Sequence, residues 1–182
     1  LPLSFGGPGA GYMAVTERLM RKMPGRICGA TVDREGRTSY VLTIQAREQH
    51  IRRERATSNI CTSQALMATA ATIWLALQGS AGLLDVAEQS AAKAMYLEKK
   101  LVDSGCFKRV YDAPYFREFL VEAKAGVDLK KVNEQLLDEG VIGGLVLDQN
   151  RMLIAVTEKK TKEQLDCFAD KLIALCGGQE GR

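Results

Sequence analysis

The sequence predicts a mixed α and β chain whose C-terminal part is a small α+β unit, and three observations predict it. Two apolar stripes recur at three- and four-residue steps between Asn59 and Asp103, the period of long amphipathic helices. After Gly105 the texture changes to short apolar runs alternating with capped helical patterns, as expected of a mostly antiparallel sheet with helices on one face. Before Arg47, "TSYVLTIQ" alternates and is rich in β-branched residues, which predicts a strand over 38–45. At 182 residues and 46% hydrophobic composition, the chain can bury one sizeable core or two modest ones.

The elements follow in order. Gly6, Gly7, Gly9 and Gly11 around Pro8 make a flexible loop, whose backbone can approach a neighbour closely, leading to a strand near 11–15. Thr16 caps a short helix through "ERLMRK", which Pro24 stops. After the strand over 38–45, Leu66, Ala70, Ile73, Trp74 and Leu77 mark a helix from Asn59 that ends at Gly79. Leu83, Ala87, Ala91, Ala94, Leu97 and Leu101 mark a second, ending before Gly105. Trp74, Met67 and Met95 read as core packing for these helices. Beyond them, "FKRV" and "YFREFLVEA" are strands, Asp128 caps a helix, "IGGLVL" and "MLIAVTE" are strands joined by "DQN", and Thr161 caps a last helix carrying Leu165, Phe168, Leu172 and Leu175.

Composition removes several function classes. A net charge of +3 falls short of the domain-wide basicity of a nucleic-acid binder. Five cysteines, an odd number without CxxC spacing, suggest neither a disulfide framework nor a zinc site, and point to a reducing compartment such as the cytoplasm. His50 is the single histidine, so a metal site built on imidazoles is excluded. No apolar run approaches the roughly 20 residues that span a bilayer, so no membrane role is expected. The chain opens at Leu1 without an initiator methionine, inside what reads as a domain.

The densest local signal is "REQHIRRERATSNICTSQAL", where four arginines, two glutamates and His50 fill residues 47–55. Three readings stay open for Arg47, Arg52, Arg53 and Arg55. They are a solvated helix face, or a nucleic-acid contact, although no aromatic platform is interleaved with them. The third reading is an anion site, in which arginines, Thr57, Ser58, Asn59 and the free N–H groups of the next helix converge on a phosphate or carboxylate. A catalytic couple would have to use His50 with Ser58, Cys61 or Ser63, and the acidic residues form no paired-carboxylate site, so no catalytic residue is expected on this chain.

"LPLSFGGPGAGYMAV", "RKMPGRI", "REQHIRRERATSNICTSQAL" and the helix pair that follows resemble the C-terminal part of subunit 1 in the P-protein family of the glycine cleavage system, the decarboxylating glycine dehydrogenases, over essentially the whole chain. A more distant similarity joins it to the cysteine desulfurase branch of fold-type I pyridoxal phosphate enzymes. The resemblance implies an α/β fold: 1–58 as the tail of the large domain, 59–103 as connecting helices, and 104–182 as a small C-terminal α+β domain. It implies that Thr57, helped by Ser58 and Asn59, binds the cofactor phosphate across a subunit interface, with His50, Arg52 and Arg53 facing the substrate carboxylate or the partner. The lysine that carries pyridoxal phosphate belongs, in two-subunit forms, to subunit 2, and Lys22, Lys93 and Lys99 do not occupy its context. Implied partners are therefore subunit 2 and the lipoyl H protein, in a bacterial or archaeal cytoplasm. The implied reaction releases CO2 from glycine and passes the aminomethyl group to the lipoyl arm. The alternatives are a non-catalytic scaffold or regulatory subunit of that complex, and a desulfurase-like lyase requiring a reactive cysteine.

Overall fold

The computed structural model describes residues 11–56 and 64–178, and the chain divides into two compact units, Leu1–Leu77 and Gln78–Arg182. In the first unit, a 3-10 helix over Glu17–Lys22 follows Thr16, which takes the capping position without a side-chain bond. The strand expected near 11–15 is not formed: those residues carry no regular secondary structure and pair with no strand among the described residues, and a strand needs a ladder to satisfy its backbone groups. Two strands, β1 (Ile27–Val32) and β2 (Thr38–Thr43), pair antiparallel with Ile27 opposite Thr43 and Val32 opposite Thr38. β2 was expected and β1 was missed. Its signal is the turn "DREG": Asp33 Oδ1 accepts from the N–H groups of Glu35 and Arg37, both at 2.9 Å, and Gly36 supplies φ of 78°.

The 39-residue helix α2 (Ala65–Asp103) carries both expected apolar stripes. The expected start at Asn59 lies outside the described residues; the helix is interrupted at Gly79, whose φ of 62° and ψ of −174° are backbone values almost reserved for glycine. The expected end of the first helix is thus a break within one longer element. Contrary to the expectation that no run is apolar enough to span a bilayer, α2 contains an 18-residue window of mean hydropathy 1.3 with at most two charged residues. Small residues explain the oversight. Thr69 and Thr72 interrupt the apolar run in sequence, but their hydroxyls donate back to the carbonyls of Ala65 and Ala68, leaving the surface apolar. Length and composition are all that this window shows.

The second unit holds a four-stranded antiparallel sheet in the order β3 (Phe107–Arg109), β4 (Glu118–Ala123), β6 (Arg151–Ala155), β5 (Leu145–Val146). Phe119, Val121 and Ala123 alternate with more exposed residues along β4, as do Met152 and Ile154 along β6, so one sheet face is buried. That face packs on Ala94, Leu97 and Leu101 of α2, on Leu129, Val132 and Leu136 of α3 (Leu129–Asp138), and on Leu165, Ala169 and Leu172 of α4 (Lys162–Gly177). Both expected caps are present. Asp128 accepts from the Lys130 N–H, and Thr161 and Gln164 form a reciprocal capping box. Trp74 and Met95 correct the core-packing reading: they are 41% and 58% exposed, because the buried stripe of α2 runs through Ser90, Ala94, Leu97, Glu98 and Leu101.

Candidate functional site

The basic segment lies in the first unit and is not one helix. Its residues form a 3-10 turn (Gln45–Arg47), the single-turn helix α1 (Gln49–Arg52) and a second 3-10 turn (Arg53–Arg55). Each turn closes locally: Glu48 N–H donates to Gln45 O, Arg52 N–H to Glu48 O, and Ala56 N–H to Arg53 O. No stripe of apolar residues is present to sustain a longer helix there, so the solvated-helix-face reading gives way to a chain of turns.

Arg47 leaves the surface group of arginines altogether. It is 9% exposed, its two terminal nitrogens donate to the carbonyls of Met23 and Gly25, and Glu48 Oε1 lies 3.1 Å away. Its two terminal nitrogens are therefore committed to protein carbonyls, while its Nε is buried without a hydrogen-bond partner. Arg52 is exposed, and its Nε donates to Ala46 O at 3.2 Å. Arg53 is exposed and its side chain makes no hydrogen bond or ion pair among the described residues, and Arg55 sits at a loose 4.0 Å from Glu54. His50 is exposed and lines a cleft of about 280 Å³ together with Arg26, Thr43, Gln45 and Glu48.

The structure thus brings His50, Arg52 and Arg53 onto one short segment. Thr57, Ser58 and Asn59, along with the candidate nucleophiles Ser58, Cys61 and Ser63, lie outside the described residues. Among the described residues no serine or cysteine lines the cleft beside His50, and its hydroxyl, on Thr43, donates to Ile27 O at 3.3 Å. Chemically the described segment offers guanidinium donors to an anion and no nucleophile–base couple. No group of histidine, cysteine and carboxylates able to hold a metal occurs among the described residues.

The second unit has polar clusters that sequence reasoning did not single out. Glu98, 3% exposed, accepts from Arg109 and from the Tyr115 hydroxyl, and burial followed by this bond pushes the Tyr115 phenol well up. Asp166 accepts from Lys162, Tyr96 and Lys100, which hold its carboxyl well below the usual range. The buried Cys176 thiol is pushed up to about 12 by desolvation, so it stays protonated and inert at neutral pH. These groups tie α2, β3 and α4 together; spacing alone could not reveal them, since each joins residues from separate elements.

With the geometry in hand, comparison with known proteins is specific. A family model described as glycine cleavage system P-protein matches residues 1–172. The chain is 49% identical over 178 residues to the probable glycine dehydrogenase (decarboxylating) subunit 1 of Listeria monocytogenes serotype 4b, covering 94% of this chain and 39% of that protein. The corresponding protein of Shouchella clausii is 50% identical over 181 residues, with coverages of 96% and 40%. A crystal structure of glycine decarboxylase (P-protein) of the glycine cleavage system, in inhibitor-bound form, superimposes with a TM-score of 0.86 at 35% identity over 96% of this chain and 40% of that one. This likeness bears out the expected fold class. The chain spans about two fifths of the length of the curated relatives it matches.

Proposed function

The chain belongs to the glycine cleavage system P-protein family, and from that premise we propose that it forms the C-terminal part of subunit 1 of a glycine decarboxylase. In this reading it completes, with subunit 2, a site that removes CO2 from glycine and hands the aminomethyl group to the lipoyl H protein in a bacterial cytoplasm. The observation that carries it is the pair of exposed guanidinium groups, Arg52 and Arg53, on a short segment whose buried anchor is Arg47. Their donor set fits a carboxylate or a phosphate monoester, and Arg53 has no competing partner among the described residues.

Pyridoxal phosphate, when bound, supplies an electron sink for loss of the glycine carboxylate. What this chain adds is binding and orientation. We propose Thr57, helped by Ser58 and Asn59, as donors to the cofactor phosphate, and Arg52 and Arg53, with His50 beside them, as the groups facing the substrate carboxylate or the partner. We propose that the cofactor is held covalently by subunit 2 and that this chain alone is inactive. Lys93 is occupied by Glu158 O and Lys99 by Asp103, which supports that division of labour. We keep 1–58 as the tail of the large domain, 59–103 as connector and 104–182 as the small domain.

A second reading, scaffolding, draws on α2: Leu66, Ile73, Leu75 and Leu77 are 47–79% exposed, and the chain has no charged residue from Ala56 to Leu84. Such a surface suits burial against protein, and for that reason we read the apolar helix as an interface element. The test is co-expression with a subunit 2, followed by glycine–bicarbonate exchange. Thr57→Ala and Arg52→Ala are expected to lower exchange by at least about tenfold. Unchanged exchange in both variants would reduce the chain to a scaffold.

A further inference from the structure

Arg47 is buried in a segment whose neighbouring arginines face solvent, and a buried guanidinium persists only where carbonyls and a counter-charge replace its water. Its carbonyl partners lie far back in sequence, Gly25 O at 2.5 Å and 22 positions away and Met23 O 24 positions away, with the adjacent Glu48 as counter-charge. The same stretch is bracketed by backbone strain. Ile44 (φ 55°) and Arg53 (φ 52°) are the two non-glycine residues with positive φ among the described residues. A β-branched residue in the left-handed region is held there only if the surroundings over-determine it. Between these two positions the turns are linked in series. Arg47 fixes the turn 45–47, Ala46 O takes the Arg52 Nε, and the N–H groups of Ile51 and Arg52 both donate to Glu48 O.

We infer that Arg47 is a positioning residue: by gripping the Met23–Gly25 carbonyls it sets where Arg52 and Arg53 are presented, without itself touching substrate, cofactor or partner. This rests on the reading of Arg52 and Arg53 as the groups that face the substrate carboxylate or subunit 2. Loss of the fork frees the strained turn at Ile44 to relax, and the two downstream guanidinium groups then lose their fixed origin.

The experiment uses the complex with subunit 2. Three quantities are measured: amide exchange over 45–56 without cofactor, the dissociation constant for subunit 2, and the glycine concentration at half-maximal exchange. Arg47→Gln removes the fork and is expected to speed exchange of the Ile51 and Arg52 amides, and to worsen subunit affinity or half-saturation by about tenfold. Arg47→Lys, which keeps the charge but grips as a single point, is expected to fall between, and it decides the matter if the glutamine variant fails to assemble. Arg34→Ala, on the β1–β2 turn, is the unchanged control. Arg53→Ala tests the underlying reading: if it alters neither affinity nor half-saturation, that reading falls. If Arg53→Ala alters one of them while both Arg47 variants leave it at the wild-type value, the positioning role alone is overturned.

Discussion

Glu98 and Arg109 form a two-bond pair in which the carboxylate is 3% exposed and the guanidinium is close to half exposed: Arg109 Nε donates to Glu98 Oε1 at 2.8 Å and Nη2 donates to Oε2. The Tyr115 hydroxyl donates to the same carboxylate at 2.8 Å, and its ring packs 5.7 Å from that of Phe119. One buried acid thus joins α2 to β3 and to the segment entering β4. Removing it strands donors beside the core. Glu98→Ala is expected to lower the unfolding free energy by about 2 kcal/mol, and Glu98→Gln by less because one acceptor remains. Urea unfolding checks this, and an unshifted midpoint in the alanine variant would show that the pair does not hold the sheet to the helix.

Leu136 and Leu137 are adjacent in α3 and opposite in fate. The first is fully buried and the second is 62% exposed. Leu136→Ala is expected to cost about 2–4 kcal/mol by opening a cavity among Val132, Met152 and their neighbours, and Leu137→Ala less than about 0.5 kcal/mol. Similar losses for both would mean that the face of α3 is misassigned.

Asp166 accepts from Lys162, Tyr96 and Lys100, and its carboxyl is held below its ordinary value, the Lys162 bond being the largest cause. A depressed carboxylate contributes stability that is present above the unfolded value, near 3.8, and is lost as pH falls through the folded one. Stability should therefore decline as pH drops below about 5, with a shallower slope in Asp166→Asn. Denaturant titrations at stepped pH read the two slopes, and parallel slopes would remove Asp166 from the acid response.

Gly79 has φ of 62° with ψ of −174°, and a Cβ built there meets nothing within 4 Å. The constraint is thus on the backbone itself. Gly79→Ala is expected to cost about 1–2 kcal/mol, or else to drive the chain into continuous helix, which amide exchange over 78–84 would report as new protection. Neither destabilisation nor added protection would mean that the break is set by something other than glycine.

Much of the second unit was legible because its signals are local. Asp128 and Thr161 sit where a short polar side chain must satisfy the first free N–H groups of a helix, and the alternation of Phe119, Val121 and Ala123 declares one buried face. The first unit was harder. "ICGATV" escaped notice because a strand with a glycine, Gly29, in its interior has weak local preference until its partner "TSYVLT" pairs with it. The basic run 47–55 looked like a helix face because charge density carries no information about which guanidinium a nearby loop will enclose.

By itself the sequence determined the family, the helix caps at Asp128 and Thr161, the apolar periodicities and the glycine at which the long helix breaks, since each depends on residues within a turn or two of one another. Tertiary structure alone decided that Arg47 is buried against Met23 and Gly25, that Glu98 is the acid Arg109 needs, and that Trp74 and Met95 face outward. Those outcomes depend on contacts between residues far apart along the chain, whose free energies are settled by which groups lose water together, and no local pattern encodes that.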